Sequence, residues 1–367
     1  MGNFSVHRTA CFACTTPYQL IGAISIVKKT DLDADLYLFG SFPNFEEVAR
    51  RLVKYKVFVD VIIVKSTHKK AISRLNTLWQ ILNRKNAVKS FLSADIVYDF
   101  FYSTSQAHGK LLLLYELRRR NPLIEYVLYE DGMGSYSQGA HQLAGSRYTR
   151  MFERIAGSKI FIEGKTSIMV HYPQFLQLPD KIRTIPRHLM PPFDICKENV
   201  KMLKSVFDIQ EDSLLERIIL FDTARGVYRN NLYGLELLDE CFYTVMNICS
   251  DNIIMKDHPK SKLKFNCNIK RYPRQEIPVE ILYACMHDLD NRILIGNFST
   301  ALFTPKMLFN KEPIIISLHR VAWKKRKDIS DTFEKMATMY LHKERVIAPD
   351  SIDELAHYLS AILREKD

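Results

Sequence analysis

Hydrophobic and polar positions in the first half of the chain alternate between short runs of β-branched, aromatic and aliphatic residues and longer segments with one apolar face. The short runs predict strands at 9–15, 35–42, 57–64, 95–102 and 123–130. The longer segments predict helices at 45–54, 70–93 and 106–120, and a helix that starts at Thr16 and Pro17. Since strands that alternate with helices are joined by right-handed crossovers, the pattern predicts a parallel, doubly wound sheet.

The second half repeats the same alternation. Strands are predicted at 216–222, 252–256, 292–295 and 313–317, and helices at 232–249, 279–286, 300–309 and 330–341. Ser351 and Glu354 have the spacing of a capping box and predict the start of a last helix. The predicted fold class is therefore α/β, with two Rossmann-like domains that face a cleft.

A proline-rich stretch separates the two halves. Five of the 14 prolines lie within 173–192, where the hydrophobic periodicity is weak. Such composition is typical of a linker, and 367 residues exceed the size at which one core usually stops growing. We therefore predict an N-terminal domain at 1–185 and a C-terminal domain at 186–367.

Two adjacent carboxylates, Glu130 and Asp131, end the strand predicted at 123–130, and Gly132 allows a tight turn after them. Ligands of open parallel sheets bind at the carboxyl ends of the strands, so this position favours a general base. The alternative is one capping carboxylate and one solvated charge. Thr16 and Gln19 follow the first strand and are expected at the same edge, as a second wall of the site or as a plain helix cap.

Two motifs end strands of the second half. His258 and Pro259 lie between Lys256 and Lys260, and proline biases the preceding residue away from helix. An imidazole held there suits a departing phosphate, whereas the alternative is an ordinary loop histidine. The second motif consists of Gly296, Asn297, Ser299 and Thr300 and precedes a predicted helix. It is either an anion-binding site or a simple N-cap.

The charge balance favours anionic partners. The formal net charge is +11 and the pI is about 9.2, with basic clusters at 118–120 and 324–327. Each cluster is interpreted either as a solvated face or as a contact with the anionic inner membrane leaflet. Because the basic residues are otherwise dispersed and no nucleic-acid motif occurs, we expect no nucleic-acid partner.

Cysteine usage and the apolar runs bear on location and metal binding. The seven cysteines are scattered, which predicts a reducing compartment, and Cys11 and Cys14 are expected to be buried thiols. The acid-x-acid pairs at 31–33 and 288–290 precede their strands, so no metal site is assigned. Without a signal-peptide pattern or a long apolar run, the chain is expected to be cytoplasmic, with peripheral contact at the inner membrane face left open.

The joint order of acid-acid-Gly, His-Pro and Ser-Thr resembles the bacterial sialyltransferases. The segment from Cys14 to Leu20, which reads CTTPYQL, is most similar to glycosyltransferase family 52, which includes lipooligosaccharide and capsule or O-antigen sialyltransferases. The resemblance implies a GT-B-type fold, CMP-sialic acid as the donor substrate, inversion at the anomeric carbon, and no metal or other cofactor. It also implies a lipid-linked bacterial surface glycan with a galactose-type hydroxyl as acceptor.

The resemblance assigns roles to the motif residues. Glu130 or Asp131 would be the general base, and His258 would stabilise the CMP phosphate as it leaves. Ser299 and Thr300 would bind that phosphate in the donor domain. The residues expected around the same group are Lys256, Pro259, Gly296 and Asn297, and those expected to contact substrate on the acceptor side are Thr16, Gln19 and Gly132.

Two other functions are compatible with the sequence. One is a GT-B glycosyltransferase that uses a UDP-sugar such as UDP-glucose, and the other is a nonenzymatic module that binds anions or nucleic acid. A Rossmann dehydrogenase is disfavoured because no G-x-G-x-x-G follows the first predicted strand. The sequence leaves the acceptor, the linkage position and homodimer formation open.

Overall fold

The computed structural model describes 6–40, 42–65, 82–93, 95–104, 108–137, 150, 153–155, 157, 159–178, 180–209, 216–223, 231–249, 252–258, 265–323 and 327–364. The chain divides into two compact units, Met1–Val206 and Phe207–Asp367. Each unit is built on a parallel sheet. The α/β prediction is therefore confirmed for both halves of the chain.

The first unit contains a sheet with strand order β3-β2-β1-β4-β5-β6-β7 among the described residues. Its strands are β1 Val6–Cys14, β2 Ala34–Phe39, β3 Val61–Val64, β4 Ile96–Ser103, β5 Glu125–Tyr129, β6 Thr166–Val170 and β7 Arg187–Leu189. Its helices are α1 Pro17–Thr30, α2 Phe45–Val53, α3 Arg84–Val88, α4 His108–Arg120, α5 Gly134–Ser137 and α6 Lys197–Phe207, with 3₁₀ turns at Pro173–Phe175 and Asp180–Ile182.

The centre of the first sheet is buried because its strands are apolar on both faces. Residues 10–14 of β1 and all of β2 are buried, and α1 is buried from Pro17 to Val27. Strand order reverses between β1 and β4, which is the topological switch point of this sheet. Ligands of doubly wound sheets bind outside the carboxyl ends of strands at such a point.

The second unit has the strand order β12-β11-β10-β8-β9. Its strands are β8 Ile218–Phe221, β9 Ile253–Lys256, β10 Ile293–Gly296, β11 Ile314–Ser317 and β12 Val346–Ile347. Its helices are α7 Leu232–Cys249, α8 Val279–Ala284, α9 Thr300–Phe309, α10 His319–Ala322, α11 Lys327–Ala337 and α12 Ile352–Arg364, with 3₁₀ turns at Leu289–Asn291 and Lys343–Arg345. Its switch point lies between β8 and β10.

The boundary between the units lies later in the chain than the junction predicted at 185/186. The proline-rich stretch contains β7, which pairs with β6 in the register Ile168↔Arg187 to Val170↔Leu189. That pairing keeps 187–189 in the first sheet, and the second unit begins at Phe207. The prolines thus flank a short edge strand, a position at which proline is tolerated, and do not mark a linker.

Several elements differ from those that the sequence predicts. The strands β6, β7 and β12 and the helices α6 and α10 were not predicted. Of the helix predicted at 70–93, the described part contains α3, and 70–81 lie outside the described residues. β7 is exposed throughout and β12 has two residues, so neither shows an apolar run, and β6 begins with the hydroxyl residues Thr166 and Ser167.

The basic cluster at 118–120 makes contacts within the first unit. Arg118 donates to the carbonyl oxygens of Lys159 and Ile160, at 2.7 and 2.8 Å. Arg119 and Arg120 pair with the buried carboxylate of Glu116. Their guanidinium groups therefore contribute to the packing of α4, and residues 324–326 of the other cluster lie outside the described residues.

Two remaining sequence predictions concern the cysteines and the membrane. Cys11 and Cys14 are fully buried and reduced, as predicted, and the Cys14 thiol lies 3.0 Å from the Tyr129 hydroxyl. Within the ranges that the structure describes, none of the helices has the length and apolar character required to cross a bilayer.

Candidate active site

The acid pair at the end of β5 divides between the interior and the surface. Glu130 has no exposed surface, whereas its neighbour Asp131 is exposed. Successive side chains of an extended segment point to opposite sides, which accounts for the division. The two carboxylates therefore have different environments.

Glu130 is an internal anchor that joins three elements. Its Oε1 accepts a hydrogen bond from the Tyr18 hydroxyl at 2.5 Å, and its Oε2 accepts from the Tyr136 hydroxyl and from the His171 backbone N–H, the latter at 2.9 Å. Burial, and next the Glu130 charge, raises the pKa of Tyr18 and of Tyr136 well above the usual value. Both phenols therefore stay protonated and donate to the carboxylate.

Asp131 lies at the turn after β5. Its Oδ1 accepts a hydrogen bond from Gln19 Nε2 at 2.9 Å, and its backbone N–H donates to Ser135 Oγ at 2.9 Å. Gly132 follows with a φ of 75°, in the left-handed region that favours glycine. The turn thus directs the exposed carboxylate to the carboxyl edge of the sheet while its backbone is fixed.

The structure brings Thr16 and Gln19 to the same edge. Thr16 caps α1, and its Oγ1 accepts from the Gln19 N–H at 3.3 Å. The Gln19 Oε1 accepts from the Thr15 N–H at 2.7 Å and from the Thr15 hydroxyl at 2.9 Å. Gln19 thus joins Thr15 to Asp131, to which its Nε2 donates. A role of Thr16, Gln19 and Gly132 in substrate binding stays a prediction.

Lys110, which was not among the predicted site residues, completes this group. Lys110 lies in the first turn of α4 and is 1% exposed. Its Nζ donates to Gln19 Oε1 at 3.1 Å, to Thr104 Oγ1 at 3.3 Å and to Thr15 Oγ1 at 3.5 Å. Burial lowers the pKa of Lys110 to about 8, and the electrostatic effects of Cys14 and Asp131 act in the opposite direction. A single lysine before four consecutive leucines was the sequence signal for a buried ammonium.

In the second unit, the Gly296–Thr300 segment joins β10 to α9. Ser299 is the N-cap, and its Oγ accepts from the Ala301 N–H at 3.3 Å. A Cβ at Gly296 would lie 3.1 Å from the Phe221 Cβ, so β8 and β10 approach closely there. Asn297 is buried, whereas Ser299 and Thr300 are half-buried. These two residues lie at the switch point of the sheet, at the N-terminus of a ten-residue helix.

His258 follows β9 at the same carboxyl edge and is half-buried. The two residues before it are anchored. Lys256 donates from Nζ to the Gln275 carbonyl oxygen at 2.6 Å, and Asp257 pairs with Arg271. Burial lowers the pKa of Lys256 to about 8. The Lys256 ammonium thus holds the strand end that carries His258, and Pro259 and Lys260 lie outside the described residues.

His258 and the Ser299 segment follow strands on either side of β8. Neighbouring strands lie about 4.8 Å apart, so these strand ends are about 10 Å apart. An imidazole and a pair of hydroxyls at that spacing can both reach a phosphoryl group placed beyond the end of β8. The arrangement suits a group that gains negative charge.

A second histidine of this edge, His319, was also missed. It follows β11, and its Nδ1 lies 2.9 Å from the Ser317 hydroxyl. Its ring packs against those of Phe333 and Phe298, with centroids 4.7 and 6.2 Å away. Burial, and next the Arg320 charge, lowers the pKa of His319 to about 4, so that the ring is neutral at pH 7. The sequence signal was the position of a histidine two residues after a predicted strand.

A family model described as alpha-2,8-polysialyltransferase (POLYST) matches residues 11–319, which is more than half of the chain. The matched range contains the acid pair, His258 and the Ser299 segment. Curated protein sequences gave no match.

Several solved structures are similar to the chain. UDP-GlcNAc 2-epimerase from Methanocaldococcus jannaschii is 13% identical with a TM-score of 0.50, over 98% of this chain and 94% of that chain. The Neisseria meningitidis UDP-GlcNAc 2-epimerase bound to UDP-GlcNAc is 8% identical, with a TM-score of 0.46 over 98% of this chain and 92% of that one. Phytolacca americana apo UGT2 is 9% identical, with a TM-score of 0.46 over 96% and 90% of the two chains. At such identities the likeness concerns the fold alone, which is GT-B-like as predicted.

Proposed function

Since this chain belongs to the alpha-2,8-polysialyltransferase family, we propose that it transfers sialic acid from CMP-sialic acid to a glycan hydroxyl, with inversion and with Asp131 as the general base. The observation that supports this choice of base is the division of the acid pair. Only Asp131 is exposed, and Glu130 is occupied by three internal donors. A base must reach the proton that it removes, which an exposed carboxylate at the strand end can do.

The proposed reaction uses groups of both units. The acceptor hydroxyl oxygen bonds to the anomeric carbon of the sialic acid as its proton passes to Asp131. The bond from that carbon to the phosphate oxygen breaks, and its electron pair leaves with CMP. In the second unit, His258 and the Ser299 and Thr300 hydroxyls stabilise the charge that develops on the phosphate. Oriented hydrogen bonds at a helix N-terminus suit a monophosphate leaving group.

The donor and acceptor follow partly from the family and partly from the sequence. The family description, alpha-2,8-polysialyltransferase, suggests a sialic-acid-terminated glycan as a second acceptor beside the galactose-type acceptor that the family 52 resemblance implies. Placement in glycosyltransferase family 52, a lipid-linked acceptor, a cytoplasmic location and peripheral membrane contact stay predictions. The division into an acceptor-side first unit and a donor-binding second unit belongs to the same proposal.

The test is transfer by the purified full chain with two donors, CMP-sialic acid and UDP-glucose, and two acceptors, a lactoside and a sialyllactoside. We expect a sialylated product with CMP-sialic acid and no product with UDP-glucose. Mass spectrometry identifies the product, and treatment with a sialidase should remove the added sialic acid. Product from the sialyllactoside would assign the α2,8 activity, and product from the lactoside would assign the galactose acceptor. Glucose transfer from UDP-glucose without sialyl transfer would overturn the proposal.

A further inference from the structure

Lys110 is buried among neutral oxygens in the first unit. Among the described residues, it donates to the Gln19 amide and to the hydroxyls of Thr15 and Thr104, at 3.1 to 3.5 Å. Lysine is almost never fully buried unless it is paired, because removing an ammonium from water is costly. The positive charge of Lys110 can therefore act on the Asp131 carboxylate through the Gln19 amide that lies between them.

Gln19 is the group that joins Lys110 to Asp131. Its Oε1 accepts from the Thr15 N–H, the Thr15 hydroxyl and Lys110 Nζ, at 2.7, 2.9 and 3.1 Å. Three donors on one end of the amide leave its Nε2 end to face Asp131, to which it donates at 2.9 Å. The orientation of the amide is therefore fixed by its surroundings. An ammonium on the oxygen polarises the amide and strengthens the bond from its nitrogen to the carboxylate.

We propose that Lys110 is a positioning residue for the base, which acts through the Gln19 amide to hold the Asp131 carboxylate in place. The inference rests on the proposed function of Asp131. It corresponds to the general arrangement in which a catalytic base is itself oriented by a third group. Here the third group is a cation, because the base is a carboxylate and its active form is negative.

In the part of the chain that the structure describes, the titratable groups that act on the ammonium are Cys14 at the end of β1 and Asp131 after β5. Burial raises the pKa of Cys14 to about 11, and burial raises the pKa of Tyr129, its hydroxyl partner, above the usual value. Both stay neutral in the range where Lys110, with its pKa of about 8, loses its proton. Lys110 is protonated below that value, so the positioning effect is present below pH 8 and is lost as the pH rises above it.

The test compares kcat across pH 6.5 to 9.5 for the wild type, Lys110→Arg and Lys110→Met, with CMP-sialic acid as donor. Lys110→Met should lower kcat about 10–100-fold at pH 7 and leave the donor KM within about twofold, since a misplaced catalytic group costs up to about 10²-fold. Lys110→Arg should retain most activity at pH 7. Because arginine stays protonated, it should also remove the decline that the wild type shows above pH 8.

Lys306→Arg is the matched control. Lys306 is also a buried lysine, but it pairs with Glu312 at 2.5 Å in the second unit. Its kcat profile should coincide with that of the wild type. If Lys110→Met does not fold, Gln19→Glu serves instead. It places a carboxylate against Asp131 and should lower kcat more than tenfold.

The outcomes separate this inference from the proposed function. A wild type without sialyl transfer would overturn the function. If the wild type is active, two results would overturn the positioning role alone. One is a pH profile of Lys110→Arg that matches that of the wild type, and the other is a kcat of Lys110→Met that matches that of the wild type.

Discussion

Glu130 and Asp131 have the same functional group and adjacent positions, but their surroundings are opposite. The Glu130 carboxylate accepts from donors of α1, α5 and the residue after β6, so its contribution is to stability. The Asp131 carboxylate accepts from Gln19 and remains exposed. In the proposal, Asp131 is the catalytic member of the pair and Glu130 is the member that stabilises the fold.

Glu130→Gln should destabilise the protein by about 2–4 kcal/mol, because the new amide places a donor where the carboxylate accepts from three donors. The measurement is the denaturant midpoint followed by circular dichroism. Asp131→Asn is the matched control and should change stability by less than about 0.5 kcal/mol, since its side chain is exposed. Equal stability of Glu130→Gln and the wild type would contradict the anchoring role.

For these two residues, the sequence predicts the acid pair but leaves open which of the two is the general base. The choice depends on Tyr18, which is 112 positions from Glu130, and on His171, which is 41 positions away. Contacts over such separations are set by the packing of α1 and β6 onto β5, and no local pattern encodes them. Lys110 was missed for the same reason, since its partner Gln19 is 91 positions away.

The N-terminus of α9 has a structural role and a proposed role in binding the donor. Ser299 caps the helix and is also proposed to bind the donor phosphate. Ser351 caps α12 in the same unit, where its Oγ accepts from the Glu354 N–H at 3.1 Å. The capping box predicted there is confirmed in part, because the Glu354 carboxylate accepts from the Asp350 N–H at 2.7 Å and not from that of the N-cap residue.

This pair of caps allows a controlled experiment. Ser299→Ala and Ser351→Ala should each lower stability by about 1 kcal/mol, the usual cost of a lost N-cap. Only Ser299→Ala should raise the KM for CMP-sialic acid, by about tenfold, since one lost hydrogen bond to a charged group is worth about 1.4 kcal/mol or more. Melting temperatures and steady-state kinetics give the two readouts. An unchanged donor KM in Ser299→Ala would remove Ser299 from the phosphate site.

The elements that the sequence predicts best are those with sustained periodicity. The predicted helices 232–249 and 300–309 coincide with α7 and α9. The edge strand β7 was missed because all three of its residues are exposed, so that it has no apolar face to detect. Missing β7 also moved the predicted boundary into the first sheet, which shows how one short element affects the domain assignment.

In the whole molecule, each sheet has candidate site residues at the carboxyl ends of its strands. In the first unit these are Asp131, Gln19 and Lys110, and in the second they are His258 and the Ser299 segment. The alternation of strands and helices was sufficient to predict this class of fold. In the proposal, the first unit supplies the base and the second binds the nucleotide, so that catalysis and donor binding can be separated by mutation.

The most direct test is the turnover of Asp131→Asn with CMP-sialic acid, measured together with the rise in melting temperature that CMP produces. We expect kcat to fall about 10²–10⁴-fold, the usual contribution of a general base. The CMP-induced rise should equal that of the wild type, because a ligand stabilises the native state according to its affinity, and Asp131 is not among the residues proposed to bind the nucleotide. An unchanged kcat in Asp131→Asn would contradict its assignment as the base.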